Sequence, residues 1–168
     1  MPQKIVFMGT PEFSVPVLES LINSNHKILS VYSQPPSKSS RGQKITPSTV
    51  ELFSKKNSLN LRTPTNLDTD EEFNFLRSLN PDFVIVVAYG KIIPKRFLEL
   101  SKHGFYNIHA SILPKWRGAA PIQRSIMNLD KQTGISIMKI VEKLDAGPVM
   151  HQDKININEN IDALTLSN

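Results

Sequence analysis

Asp82-Phe-Val-Ile-Val-Val-Ala-Tyr-Gly90 is apolar throughout its middle, with no polar residue from Phe83 to Ala88. A half-exposed strand alternates apolar and polar residues. An unbroken apolar run of this length instead fits a strand covered on both faces, as in the parallel sheet of an α/β domain. Outward from it the same grammar repeats. Lys4-Ile-Val-Phe-Met-Gly9 reads as a buried strand closed by glycine, with Thr10 as N-cap and Pro11 at the first helical position. Val17, Leu18, Leu21 and Ile22 then recur at helical spacing. Residues 27–33 make a second strand, and residues 34–46, rich in Pro, Ser, Gly and base, read as loop.

Ser48-Thr-Val-Glu51 and Thr69-Asp-Glu-Glu72 are capping boxes, opening helices to about Lys56 and Leu79. A weak strand falls at 59–64, a short helix at 95–101 and a strand at 104–110. Helix 119–128 and strands 134–141 and 148–157 follow. Strands alternating with helices predict an α/β fold with a Rossmann-like open sheet, mostly parallel, and helices on both faces. The 168 residues suit one domain with a real core and show no repeat or internal boundary. At 160–168 an amphipathic helix begins and stops early, so a shortened chain is the expectation.

Several classes are excluded or weakened by composition. Cysteine is absent, which removes disulfides, thiolate catalysis and thiolate zinc sites. No run is long enough to cross a bilayer, and the N-terminal apolar stretch is too short for a secretory signal. By elimination the expectation is cytoplasmic. The net charge of +5 suits a polyanion such as RNA and equally a plain solvated basic surface. Gly9 stands alone where a dinucleotide turn needs G-x-G-x-x-G, so a tight strand-to-helix turn is the better reading.

Chemistry concentrates in His103-Gly-Phe-Tyr-Asn-Ile-His-Ala-Ser-Ile-Leu-Pro-Lys-Trp-Arg-Gly-Ala-Ala-Pro121. Asn107 and His109, two apart, share one face at the C-terminal end of a strand, where open α/β sheets place ligands. A lone histidine is ordinarily a hydrogen-bonded core residue. This one has an amide beside it and Ser111-Ile-Leu-Pro114 directly behind. Asp145, flanked by Leu144 and Ala146-Gly-Pro148, sits on a constrained loop able to fix a carboxylate against an imidazole. No second histidine lies at ligand spacing, so no metal is expected.

Phe7-Met-Gly-Thr-Pro-Glu-Phe-Ser-Val-Pro-Val-Leu18, Arg41-Gly-Gln-Lys-Ile-Thr-Pro-Ser48, Val87-Ala-Tyr-Gly-Lys-Ile-Ile-Pro94 and the 103–121 segment together resemble the methionyl-tRNA formyltransferases. Asn-x-His-x-Ser-Leu-Leu-Pro is the signature of the wider folate-dependent formyltransferases, here with Ile112 for a leucine. The resemblance implies the formyltransferase fold and transfer of a formyl group from N10 of 10-formyltetrahydrofolate to the amine of methionyl initiator tRNA. It implies Asn107 and His109 as donors to the oxyanion, with Asp145 supporting the imidazolium. It further implies folate contacts at Tyr89, Gly90, Ile92, Ser111, Ile112, Leu113, Pro114, Val141 and Leu144, and tRNA contacts at Arg41 and Lys44. A monomer is expected. Relatives continue into a C-terminal β-barrel that grips tRNA, so residues 1–168 are expected to be the catalytic domain without it. Two rivals stay open: a formyltransferase acting on a small amine, such as glycinamide ribonucleotide or an amino sugar, and a non-catalytic folate-binding fragment.

Overall fold

The computed structural model describes residues 1–39, 44–158 and 160–167, in two compact units, Met1–Phe105 and Tyr106–Asn168. The first unit begins with β1 (Lys4–Gly9), whose last five residues are buried, followed by α1 (Val15–Ile22) and β2 (Lys27–Tyr32). Then come β3 (Ser37–Ser39), β4 (Lys44–Thr46), α2 (Thr49–Lys56), β5 (Leu61–Arg62), α3 (Asp70–Leu79) and β6 (Phe83–Val87). Strands run in the order β5-β2-β1-β6, all paired in parallel. Val6, Phe7, Met8, Val31, Val84 and Val87 fill the core with Leu18, Val50 and Leu76 from the helices. This is the expected α/β arrangement, and the 82–90 run supplies the buried strand beside β1.

Both capping boxes form in one direction only. Ser48 Oγ accepts from Glu51 N–H at 2.9 Å and Thr69 Oγ1 from Glu72 N–H at 3.3 Å. The glutamates turn elsewhere: Glu51 pairs with Lys55 at 2.7 Å, and Glu72 with Arg62 at 2.6 Å. The expected cap at Thr10 does not form. A single 3₁₀ turn, Glu12–Ser14, intervenes, and α1 starts at Val15 with Pro16 in its first turn. Thr10 Oγ1 instead donates to the Tyr89 carbonyl at 2.8 Å, and Ser14 Oγ donates to that of Val87 at 2.6 Å. Two hydroxyls thereby tie the turn after β1 to the end of β6. Part of the expected 34–46 loop is an antiparallel ribbon of β3 and β4. The expected helix at 95–101 shrinks to a 3₁₀ turn, Lys95–Phe97.

The second unit takes in β7 (Phe105–His109) from its second residue on, then α4 (Pro121–Met127), β8 (Gln132–Lys139), β9 (Val149–Asn156) and the short α5 (Ala163–Ser167). Here the pairing is antiparallel, β7 with β8 and β8 with β9. The link between β8 and β9 holds no helix and is too short for the crossover a parallel pair requires. Gly147 lies in that link, where an added Cβ would run into the Lys139 carbonyl oxygen. Only glycine permits so close an approach.

Candidate active site

β7 carries Asn107 and His109 on one face, and antiparallel pairing sets them opposite Met138 and Ser136 of β8. That face is where the polypeptide after β7 folds back. Ser136 Oγ donates to the Ser111 carbonyl at 2.6 Å and accepts from Leu113 N–H at 3.0 Å and from Gln152 Nε2 at 2.8 Å. One donor and two acceptors exhaust a hydroxyl, so this buried serine is fully used in holding the turn. Gln152 also donates to the Leu113 carbonyl at 3.0 Å, and Ser111 Oγ donates to that of Lys115 at 2.6 Å.

The turn ends at Trp116, whose φ of 56° lies in the left-handed region. For a residue with a Cβ this conformation costs about 1–2 kcal/mol. Its carbonyl lies 2.9 Å from His109 Nε2. A carbonyl can only accept, so Nε2 bears a hydrogen and donates it. The ring's other nitrogen, Nδ1, is left to act. Asp145 Oδ2 lies 3.7 Å from it, beyond a direct hydrogen bond and within ion-pair range. The two side chains are only 7% and 10% exposed. Asp145, itself at φ 44°, is held by Gly118 N–H, which donates to the same Oδ2 at 2.7 Å. Asn107 is half-buried, and its side-chain amide makes no hydrogen bond among the described residues.

An imidazole with one nitrogen anchored, a carboxylate facing the other and an unengaged amide nearby can stabilise an oxyanion and handle a proton. Among the described residues no three of histidine, cysteine, aspartate and glutamate gather as metal ligands.

A model of the formyl transferase family matches residues 3–168. The chain belongs to the formyl transferase family. Within it, the chain is 59% identical over 168 residues to a methionyl-tRNA formyltransferase of Pelagibacter ubique, covering 99% of this chain and 54% of that protein. The methionyl-tRNA formyltransferase of Caulobacter vibrioides is 45% identical over 163 residues, with coverage of 97% and 53%. The chain thus spans about half the length of the curated relatives it matches. Solved formyltransferases share the fold. Phosphoribosylglycinamide formyltransferase from Bacillus halodurans superposes with a TM-score of 0.79 at 22% identity, over 98% of this chain and 86% of that one. A formyltetrahydrofolate deformylase from Pseudomonas syringae gives 0.77 at 20% identity, covering 99% and 55%.

The remaining expected residues fall in varied surroundings. In the second unit Ser111 is wholly buried and Leu113 nearly so, whereas Ile112 is half-buried and Pro114 exposed. Val141 is exposed, and so is Leu144, at 66%. In the first unit Tyr89 is buried, and its carbonyl accepts from Thr10 and from Gln34 Nε2 at 3.1 Å. Burial, and then the Glu72 charge, pushes its phenol well above the ordinary range. Gly90 has φ 81°, and a Cβ there would meet the Gln34 amide; Ile92 is 87% exposed. Lys44 begins β4, and Arg41 lies outside the described residues. Sequence reasoning missed Trp116 and Gly118, which act through their backbones, and Ser136 and Gln152, which brace the turn. For Ser136 a signal existed: a hydroxyl in the apolar strand Ile135-Ser-Ile-Met138 needs internal partners.

Proposed function

We propose that this chain transfers the formyl group of 10-formyltetrahydrofolate to the amino group of methionyl initiator tRNA. The observation that carries this reading is His109, with Nε2 committed to the Trp116 carbonyl and Nδ1 opposite the Asp145 carboxylate. The names of the relatives supply the choice of acceptor. The amine nitrogen attacks the formyl carbon, giving a tetrahedral adduct with an oxyanion. Its C–N10 bond then breaks. The amine gives up one proton and N10 gains one, so none is consumed.

Asn107 donates its amide N–H to the oxyanion. In the ionised ring Nδ1–H is the only hydrogen His109 has left to give, so that nitrogen supplies the second donor. Asp145 holds the imidazolium and passes the amine's proton on through a water. Removing one such donor typically costs two to three orders of magnitude in rate. Exposed Val141 and Leu144 precede Asp145 on its loop and suit an apolar heterocycle such as the pterin, for which Ile112 and Pro114 offer further apolar surface. Arg41 and Lys44 meet phosphates of the tRNA.

Formyl transfer is assayed side by side on charged initiator tRNA and on glycinamide ribonucleotide, for this chain and for a chain extended to the relatives' length. Transfer to the tRNA by either form supports the reading. Transfer only to the small amine overturns the acceptor. Folate binding by calorimetry with no turnover on either acceptor overturns catalysis.

A further inference from the structure

We propose that Asp130 is a positioning residue for His109, acting through the indole and the carbonyl of Trp116. Asp130 Oδ2 accepts from Trp116 Nε1 at 2.7 Å, and the carbonyl of that same tryptophan accepts from His109 Nε2 at 2.9 Å. The aspartate is well placed to hold its partner. Its backbone N–H donates to the Ser125 carbonyl at 3.0 Å, at the end of α4. Its other oxygen, Oδ1, accepts from Asn128 Nδ2 at 2.8 Å and from Lys115 Nζ at 3.3 Å. The side chain is only 8% exposed. These donors, the indole N–H first, keep its carboxyl below the ordinary carboxylate range.

Trp116 needs such a partner because its left-handed backbone is unfavourable for any residue with a Cβ. The charge-assisted bond from indole to carboxylate offsets that preference and fixes the direction of the carbonyl. Without it the turn relaxes toward negative φ and the carbonyl swings off the imidazole. His109 then loses the acceptor that decides which nitrogen carries its hydrogen. Nδ1 no longer faces the reaction in one defined state.

This inference rests on the reading of His109 as the acting imidazole, yet its first readout needs no substrate. The ring-nitrogen NMR signals of His109 are recorded for the wild type and for Trp116→Phe, Asp130→Asn and Asn128→Ala. In the neutral ring the wild type places the hydrogen on Nε2, whereas Trp116→Phe and Asp130→Asn both give a mixture of tautomers. Formyl transfer by those two variants falls about 10- to 100-fold in kcat, with the KM for the formyl donor within about 2-fold. Asn128→Ala, which removes a bond to the opposite oxygen only, leaves the tautomer as in the wild type. An unchanged tautomer in both Trp116→Phe and Asp130→Asn overturns the proposal, and so does an equal shift in Asn128→Ala. If the wild type forms no product with any amine, the functional reading falls, and the NMR comparison still decides the positioning role.

Discussion

Asp145 Oδ2 stands 3.7 Å from His109 Nδ1 while accepting the Gly118 N–H at 2.7 Å. The shorter contact orients the carboxylate; the longer one leaves it able to support charge on the ring. Asp145→Asn keeps an oxygen for Gly118 and removes only the charge. The expected outcome is a fall in kcat of about 10- to 100-fold with the thermal midpoint nearly unchanged. Steady-state kinetics beside a melting curve check this, and an unaltered kcat would remove Asp145 from the mechanism.

In the proposed mechanism Asn107 and His109 act on the transition state, so their loss should appear in kcat. His109→Ala abolishes turnover while folate affinity, measured by calorimetry, changes little. Asn107→Ala costs about 10²- to 10³-fold in kcat. Retained turnover in His109→Ala would count against the assigned role.

Gly147 touches the Lys139 carbonyl too closely to admit a methyl group. Gly147→Ala forces the loop bearing Asp145 away from β8. A loss of about 2–3 kcal/mol in urea unfolding is expected, together with reduced turnover. Full activity and stability would show that the loop yields freely.

Tyr32 and Tyr89 are buried near Glu72, and burial, more than that charge, raises both phenols above their usual value of 10.0. The folded protein therefore keeps protons that the unfolded chain releases. This contribution is complete below about pH 10 and is lost as pH rises toward the folded-state values. Each phenol adds a slope of about 1.4 kcal/mol per pH unit in that window. Urea unfolding between about pH 9 and 11 should show stability falling, and Tyr89→Phe should take away about half of that fall. An identical slope in the variant would contradict it.

Replacing Arg41 and Lys44 together should weaken use of tRNA and leave folate binding intact. The dependence of log kcat/KM on log salt should flatten by about 1.5, as expected when about two phosphates are no longer neutralised. No change in that slope would make the segment ordinary surface.

The parallel strands were legible because their apolar runs admit no other burial: β1, β2 and β6 lie within a few residues of where the sequence puts them. Thr10 misled because a residue suited to capping a helix is equally suited to bridging a carbonyl, and the partner, Tyr89, is remote in sequence. The β3–β4 ribbon is built of serine, lysine and threonine around a single isoleucine, Ile45, with little apolar patterning to announce it. In the second unit strand positions were readable from residue alternation, whereas the antiparallel direction of β8 and β9 is encoded only in the shortness of the helix-free link between them. The pair Asn107 and His109 showed itself through a period of two. The supports did not: the Trp116 carbonyl that accepts from His109 and the Gly118 N–H that donates to Asp145 act through backbone and leave no mark in residue identity.

Register ties these observations together. His109 faces Ser136 and Asn107 faces Met138 across two adjacent strands. A single inserted or deleted residue in either strand would turn one set of side chains to the opposite side of the sheet. The imidazole and the hydroxyl that braces its turn would part company even though every chemical group survived. Length changes in β7 and β8 are thus forbidden, which makes strand length itself a condition for keeping the imidazole beside its brace.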